Sequence, residues 1–257
     1  MTVVPCSAAS FERPKWLVPS GWIEHAPFAF WLIDSHRPQR VTELGTFTGF
    51  SYFCFCQQVQ ASGLDAKCFA IDTWKGDEHN GFYGGDVFDQ LRHYHDSQYL
   101  NFSKLIRLTF DEALDQFDDE SIDLLHIDGR HFYEDVKHDF ETWRRKLSSR
   151  AIVLFHDTQV RDRGFGVYQL WESAKRDLPH FEFTHCNGLG VLGVGNDPMV
   201  TALPFFQNHS HADIMAIRSA YEMLGASISG RRPLRRNDEC PCGSGRRLKH
   251  CHGSDVR

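Results

Sequence analysis

Short, mostly apolar runs alternate with longer amphipathic stretches along most of the chain. The runs fall at residues 41–44, 67–71, 105–109, 122–127 and 151–155, and their length is that of buried strands. Helical stretches lie between them at 51–61, 87–100, 111–117, 133–147 and 166–178, and another precedes the first strand at 22–34. Two late runs, 181–184 and 190–194, read as a terminal hairpin pair, and 211–224 as a last helix. Strands alternating with helices at this spacing predict an α/β fold. The sheet should be doubly wound, mostly parallel and seven-stranded, with helices on both faces. Residues 76–85 break the pattern. They hold Gly76, Gly81, Gly84 and Gly85 together with His79, Phe82 and Tyr83. That is too glycine-rich for a helix and too aromatic for a plain linker, and reads as a loop over a ligand.

The ends differ from the middle. Residues 1–19 carry Pro5, Pro14 and Pro19 without a period and read as an N-terminal arm. The α/β domain takes 20–229, a basic linker 230–237, and a small module 238–254. Net charge is −6, unevenly spread. From residue 231 onward eight Lys/Arg face three Asp/Glu, a net of +5, so the first 230 residues carry −11. A basic tail on an acidic body implies two units with different partners. No run approaches the ~18 apolar residues of a membrane span, and no signal-like start is visible, so the expected compartment is the cytoplasm.

Eight cysteines fall into two sets. Cys6, Cys54, Cys56, Cys68 and Cys186 are scattered and read as reduced thiols. Cys240, Cys242, Cys251 and His252 place four soft ligands within thirteen residues, around the turn Gly243-Ser244-Gly245. That pattern describes a closed tetrahedral Zn²⁺ site of structural type. A module this short has no core of its own, so the metal must supply its folding energy.

The organising stretch is Glu43-Leu44-Gly45-Thr46-Phe47-Thr48-Gly49-Phe50-Ser51. It reads as a strand end, a tight turn and a helix start whose free N–H groups favour an anionic group. Gly45 lets the backbone approach a ligand, and Gly49 clears a side chain where helix packs on strand. Asp72 closes the next strand, 23 positions past Gly49, near the offset of about 20 at which a carboxylate takes ribose hydroxyls in a Rossmann-like unit. The dinucleotide pattern G-x-G-x-x-G is not met, because Phe47 and Phe50 stand where glycines are needed. Glu43 repels phosphates but suits an amino group. Ribose, adenine and a zwitterionic amino acid fit this site better than NAD, and S-adenosylmethionine (SAM) combines them.

Ligands of open α/β sheets sit beyond the carboxyl ends of the strands. Asp128, His156 and Asp157 fall there. Acids ending two strands, with histidine beside them, predict Mg²⁺, or Mn²⁺ if the histidine joins; otherwise they serve as caps and hydrogen bonders. His131, three positions past Asp128, is the candidate general base, since imidazole titrates near neutrality.

The Gly45 stretch resembles the first motif of class I methyltransferases, in the variant of metal-dependent catechol-type O-methyltransferases. The run Ala70-Ile71-Asp72-Thr73-Trp74-Lys75-Gly76-Asp77 resembles a bacterial family that includes macrolide-sugar O-methyltransferases. The resemblance covers about residues 20–225. It implies that Glu43 holds the amino group of SAM, Ser51 its carboxylate and Asp72 its ribose, with Phe47 and Trp74 flanking the cofactor. It also implies a metal at Asp128 and Asp157 and a base at His131, with His156 where the family has another acid or amide. Residues 237–253 resemble the SEC-C motif, which implies a protein- or ribosome-interaction element. The leading expectation is a SAM-dependent O-methyltransferase of a small hydroxylated acceptor, such as a sugar or glycan unit. A non-catalytic adaptor presenting the zinc module, and a metal-dependent hydroxylase on the same fold, are the alternatives.

Overall fold

The computed structural model describes residues 3–253, so Met1 and Thr2 of the arm and the last residue of the 238–254 module lie outside it. The elements are α1 Ala26–His36, β1 Arg40–Leu44, α2 Phe50–Ala61, β2 Lys67–Ile71, β3 Gly76–Asp77, β4 Gly81–Phe82, α3 Gly85–Gln98, β5 Ser103–Ile106, α4 Phe110–Ala113, β6 Ile122–Ile127, α5 Tyr133–Trp143, β7 Leu147–His156, α6 Val167–Ala174, β8 His180–Phe183, β9 Leu189–Gly193, α7 Pro198–Thr201 and α8 His211–Ser229.

Seven strands form one sheet in the order β5-β2-β1-β6-β7-β9-β8. The pairs β1–β2, β1–β6, β2–β5 and β6–β7 are parallel. Strand β9 runs antiparallel to β7 and β8. Helices α1, α2, α3 and α8 cover one face and α4, α5 and α6 the other, each burying an apolar core. The expected Rossmann-like, mostly parallel seven-stranded sheet is what forms. Its winding reverses between β1 and β6, so the crevice at their carboxyl ends is the switch point where ligands bind.

Several boundaries differ from the pattern reading. The third strand is 103–106 rather than 105–109. Thr109 instead caps α4, accepting from the Glu112 N–H while Glu112 bonds back, the capping box that ends a strand early. Residues 144–146 form a 3₁₀ turn rather than helix, because Leu147 already pairs with Ile122 in the sheet. Pro27 starts α1 at Ala26, after a 3₁₀ turn at 23–25. Helix α8 runs to Ser229, five residues past the expected end. Gly225 lies within it, where a Cβ would overlap the Glu24 backbone. The glycine allows a close helix approach and ends nothing.

The segments at the two ends are tied to this body. Tyr221 Oη donates to the Pro5 carbonyl at 2.6 Å, and Ser7 Oγ to Asp34 at 3.0 Å. Arg231, in the basic stretch 230–237, grips Glu24 through Nε at 3.0 Å and Nη2 at 2.7 Å.

Candidate active site and zinc cluster

The turn after β1 is built by three groups. Gly45 has φ +86°, and a Cβ there would overlap the Asp128 carbonyl, so only glycine lets the loop after β6 lie against it. Phe47 follows with φ +46°, and Gly49, with φ +82°, opens α2. The clearance at Gly49 serves α3: a Cβ would stand 2.7 Å from Leu91 Cδ1. It was expected to serve helix-on-strand packing. The third group is Asp72. Its Oδ2 accepts the N–H of Thr46 and of Phe47, each at 2.9 Å, and its Oδ1 accepts the Trp74 N–H at 2.7 Å. One carboxylate thus joins the ends of β1 and β2 and holds two left-handed residues, Phe47 and Trp74, in place.

Two cavities open at the switch point. The smaller, about 200 Å³, lies among Phe47, Asp72, Tyr83, Thr109, Phe110 and Arg130. The larger, about 320 Å³, is walled by residues 19–22, Ser51, Asn80, His131, Asp157 and Asn187, among others. Gly45, Phe47, Asn80 and Asp128 line both.

At the floor of the larger cavity two carboxylates meet two imidazoles. His131 Nε2 lies 2.9 Å from Asp157 Oδ2 and 3.5 Å from Asp128 Oδ1. His156 Nδ1 lies 3.2 Å from Asp128 Oδ1 and 3.4 Å from Asp157 Oδ2, and its Nε2 donates to the Cys186 carbonyl at 3.3 Å. Burial opposes charge on His131, but its bonds to Asp128 and Asp157 outweigh that and push it up to about 9. Burial likewise opposes charge on His156, and the same two carboxylates push it well above the ordinary range. Burial works against both carboxylates too, yet His156 and His131 hold them well below theirs. Ligand atoms of Asp128, His131 and Asp157 lie within 4.8 Å of one another. His156 was the expected partner of the two aspartates; its Nδ1 does approach both of them, and His131 Nε2 joins it there.

Behind the turn, Glu43 and His126 are fully buried, with Glu43 Oε2 2.8 Å from His126 Nδ1. Burial pushes the Glu43 carboxyl up, and the His126 bond opposes it. Glu43 Oε1 is buried without a hydrogen-bond partner.

At the other end of the chain, Cys240, Cys242, Cys251 and His252 present four ligand atoms within 4.8 Å of one another. His252 Nδ1 is 3.3 Å from both Cys240 Sγ and Cys251 Sγ, and Cys242 Sγ is 3.5 Å from Cys251 Sγ. Three thiols and one imidazole at this spacing fit zinc. The turn between the pairs is held by a bridge from Glu239 to Arg247.

Residues 42–158 match the methyltransferase domain family, and residues 236–254 match the SEC-C motif. The chain carries a methyltransferase domain and a SEC-C motif. It is 53% identical over 194 residues to an uncharacterized protein, y4gI, of Sinorhizobium fredii, covering 76% of this chain and 21% of that one. The chain therefore spans about a fifth of the length of that curated relative. Over 40 residues it is 45% identical to protein translocase subunit SecA of Brachyspira hyodysenteriae, 16% of this chain and 4% of that one. The fold is similar to that of the O-methyltransferase TomG of Streptomyces achromogenes, solved in complex with SAM. The TM-score is 0.52 at 15% identity, over 73% of this chain and 87% of that one.

Within the methyltransferase domain, Gly45, Phe47, Ser51, Asp72, Asp128, His131, His156 and Asp157 line one cavity or both. Glu43, Gly49 and Trp74 stand behind that lining. Trp74 is buried, donates its Nε1–H to the Phe47 carbonyl at 3.0 Å and packs on Phe88. The sequence reading singled out neither Phe165, stacked on His131 at 4.5 Å, nor Asn187. Phe165 lies in a loop with no period, but Asn187-Gly188 is a turn signal that could have been read. His79, which that reading placed only in a loop, reaches His131, Nδ1 to Nδ1, at 3.4 Å.

Proposed function

We propose that the chain is a SAM-dependent O-methyltransferase that methylates a hydroxyl of a small, sugar-like acceptor. One observation carries this reading: the glycine turn and the carboxylate–histidine cluster open into adjoining cavities, with Asp128 lining both. SAM, when bound, supplies an electrophilic methyl group to a nucleophilic oxygen. The residues present fit it. Asp72 has three of its about four acceptor sites filled, which leaves one for a ribose hydroxyl. Glu43 Oε1 is a buried acceptor on the side of Ser51, suited to an ammonium group. Ser51, in the first turn of α2, suits a carboxylate. Phe47 and Tyr83, 5.0 Å apart, would flank an adenine.

The acceptor would occupy the larger cavity, where Ser20, Asn80, Arg163 and Asn187 offer hydrogen bonds to a polyhydroxylated molecule. In its neutral form, reached as pH rises toward about 9, His131 would take the acceptor proton on Nδ1, the nitrogen now beside His79, because its Nε2 is turned to Asp157. Asp157 fixes that tautomer, and Phe165 screens the ring from water. A divalent cation, Mg²⁺ or Mn²⁺, would be held between Asp128 and Asp157, since Asp157 Oδ1 is buried without a partner. It would lower the pKa of an acceptor hydroxyl. Ligation by His131 Nε2 as well would leave Nδ1 protonated and replace its role as base.

The SEC-C cluster would bind Zn²⁺ structurally and present Arg246, Arg247 and Lys249 to a protein or ribosome partner. A cytoplasmic setting suits its thiolate ligands. Among the described residues no helix is long and apolar enough to cross a membrane.

Calorimetric titration with SAM, with and without Mg²⁺ or Mn²⁺, tests the reading, with NAD as control. A screen of sugars and phenols with methyl-labelled SAM then reads transfer to oxygen. SAM should bind and NAD should not. No SAM binding under any metal condition overturns the proposal.

A further inference from the structure

The N-terminal segment runs between the zinc cluster and the cofactor turn and touches both. Phe11 stacks on His252, ring centroids 4.6 Å apart and planes 9° from parallel. Val4 donates its N–H to the Cys242 carbonyl at 3.3 Å. Cys6 and Phe11 pack on the small core of Cys240, Cys242 and Leu248. Further along, Gln57 of α2 takes the Lys15 N–H at 2.8 Å and donates to the Arg13 carbonyl at 2.9 Å. Trp16 donates its Nε1–H to the Thr48 carbonyl, inside the cofactor turn, at 2.9 Å. The segment then becomes the wall of the larger cavity at Pro19, Ser20, Gly21 and Trp22.

We propose that the zinc site is composite, completed by Phe11, Cys6 and Val4 from outside the SEC-C motif, and that zinc thereby holds residues 4–18 as a strap against the cofactor turn. His252 Nδ1 points at the thiols, so the ring must keep one orientation for that nitrogen to bind metal. Phe11 lies flat on the ring and fixes that orientation, the role that outer-shell partners play for metal-bound histidines. Zinc draws electron density from the imidazole, and the phenyl face meets the positive ring that results. The cluster therefore gains affinity from the strap. By linkage the strap gains order from the zinc. The inference needs no acceptor and does not rest on methyl transfer.

The test uses the full chain. Zinc affinity is measured by competition with a chromophoric chelator for wild type, Phe11→Ala and Phe11→Leu. Both variants should bind zinc about 10-fold to 100-fold more weakly, the usual effect of removing an outer-shell partner. Phe11→Leu keeps the apolar bulk and lacks only the ring, so it separates stacking from burial. Hydrogen exchange is then followed with and without a chelator. Zinc removal should speed exchange across residues 4–18 and leave β1 and β6 protected, which also reports that the body is folded. Wild-type zinc affinity in both variants overturns the composite site. Unchanged exchange of residues 4–18 after verified zinc loss overturns the strap.

Discussion

Asp72 Oδ2 accepts the Phe47 N–H at 2.9 Å, across the gap between the ends of β2 and β1. The same carboxylate that has a free acceptor site for a ribose therefore also shapes the turn on which the cofactor would lie. Asp72→Ala should weaken SAM binding by about 1–3 kcal/mol, from hydrogen bonds lost at a charged acceptor. It should also shift the Phe47 amide resonance in the SAM-free protein. Asp72→Asn, which keeps one acceptor oxygen, should fall between. Titration calorimetry reads the affinity, and equal SAM affinity in wild type and Asp72→Ala would remove Asp72 from the cofactor site.

His131 is pushed up to about 9 by Asp128 and Asp157, against the effect of burial. Without divalent metal its imidazole should titrate well above the usual value near 6.5. Asp157→Asn should bring it down, because one of the two carboxylates holding the proton is gone. NMR titration of the ring protons checks this. Once an acceptor is known, His131→Ala should lower turnover about 10² to 10⁴-fold with SAM affinity nearly unchanged. Wild-type turnover in that variant removes the base assignment.

Asp139 gives a stability prediction apart from the catalytic cluster. Burial pushes its carboxyl up to about 7, aided by the charges of Asp135 and Asp111 and opposed by His138 and Arg130. The folded state therefore holds a proton that the unfolded chain releases near the ordinary carboxylate value of about 3.9. The stability this contributes is complete below that value and is lost as pH rises through about 7. Asp139→Asn should match wild type near pH 4 and exceed it above pH 8, by on the order of 2–4 kcal/mol. Urea unfolding at the two pH values measures the difference. A constant offset between the proteins at both pH values contradicts it.

Cys240→Ser should abolish stoichiometric zinc binding while the sheet stays folded, because the two cores of the body contain none of the cluster residues. Metal analysis and far-UV circular dichroism test the two halves separately. Zinc retained in full by Cys240→Ser counts against the proposed ligand set.

The fold was legible because its signals are local. Apolar runs of strand length between amphipathic stretches dictate buried parallel strands, and Gly45, Gly49 and Asp72 mark the turn by their spacing alone. Four soft ligands within thirteen residues mark the zinc cluster in the same way. Where local signals compete, the pattern misled: Thr109 reads as strand but caps a helix, and the last helix reads as ending at Leu224 but runs through Gly225 to Ser229. Relations between distant segments left no trace in the pattern. His131 joins His156 at the two aspartates because β6 and β7 are neighbours in register, which brings Asp128 and His131 beside His156 and Asp157. Trp74 backs the turn, since its left-handed backbone and its bond to the Phe47 carbonyl draw the indole inward. Phe11 meets His252 across 241 positions of sequence. Packing alone brings such pairs together, by burying apolar surface and satisfying buried polar atoms, and neither depends on sequence spacing.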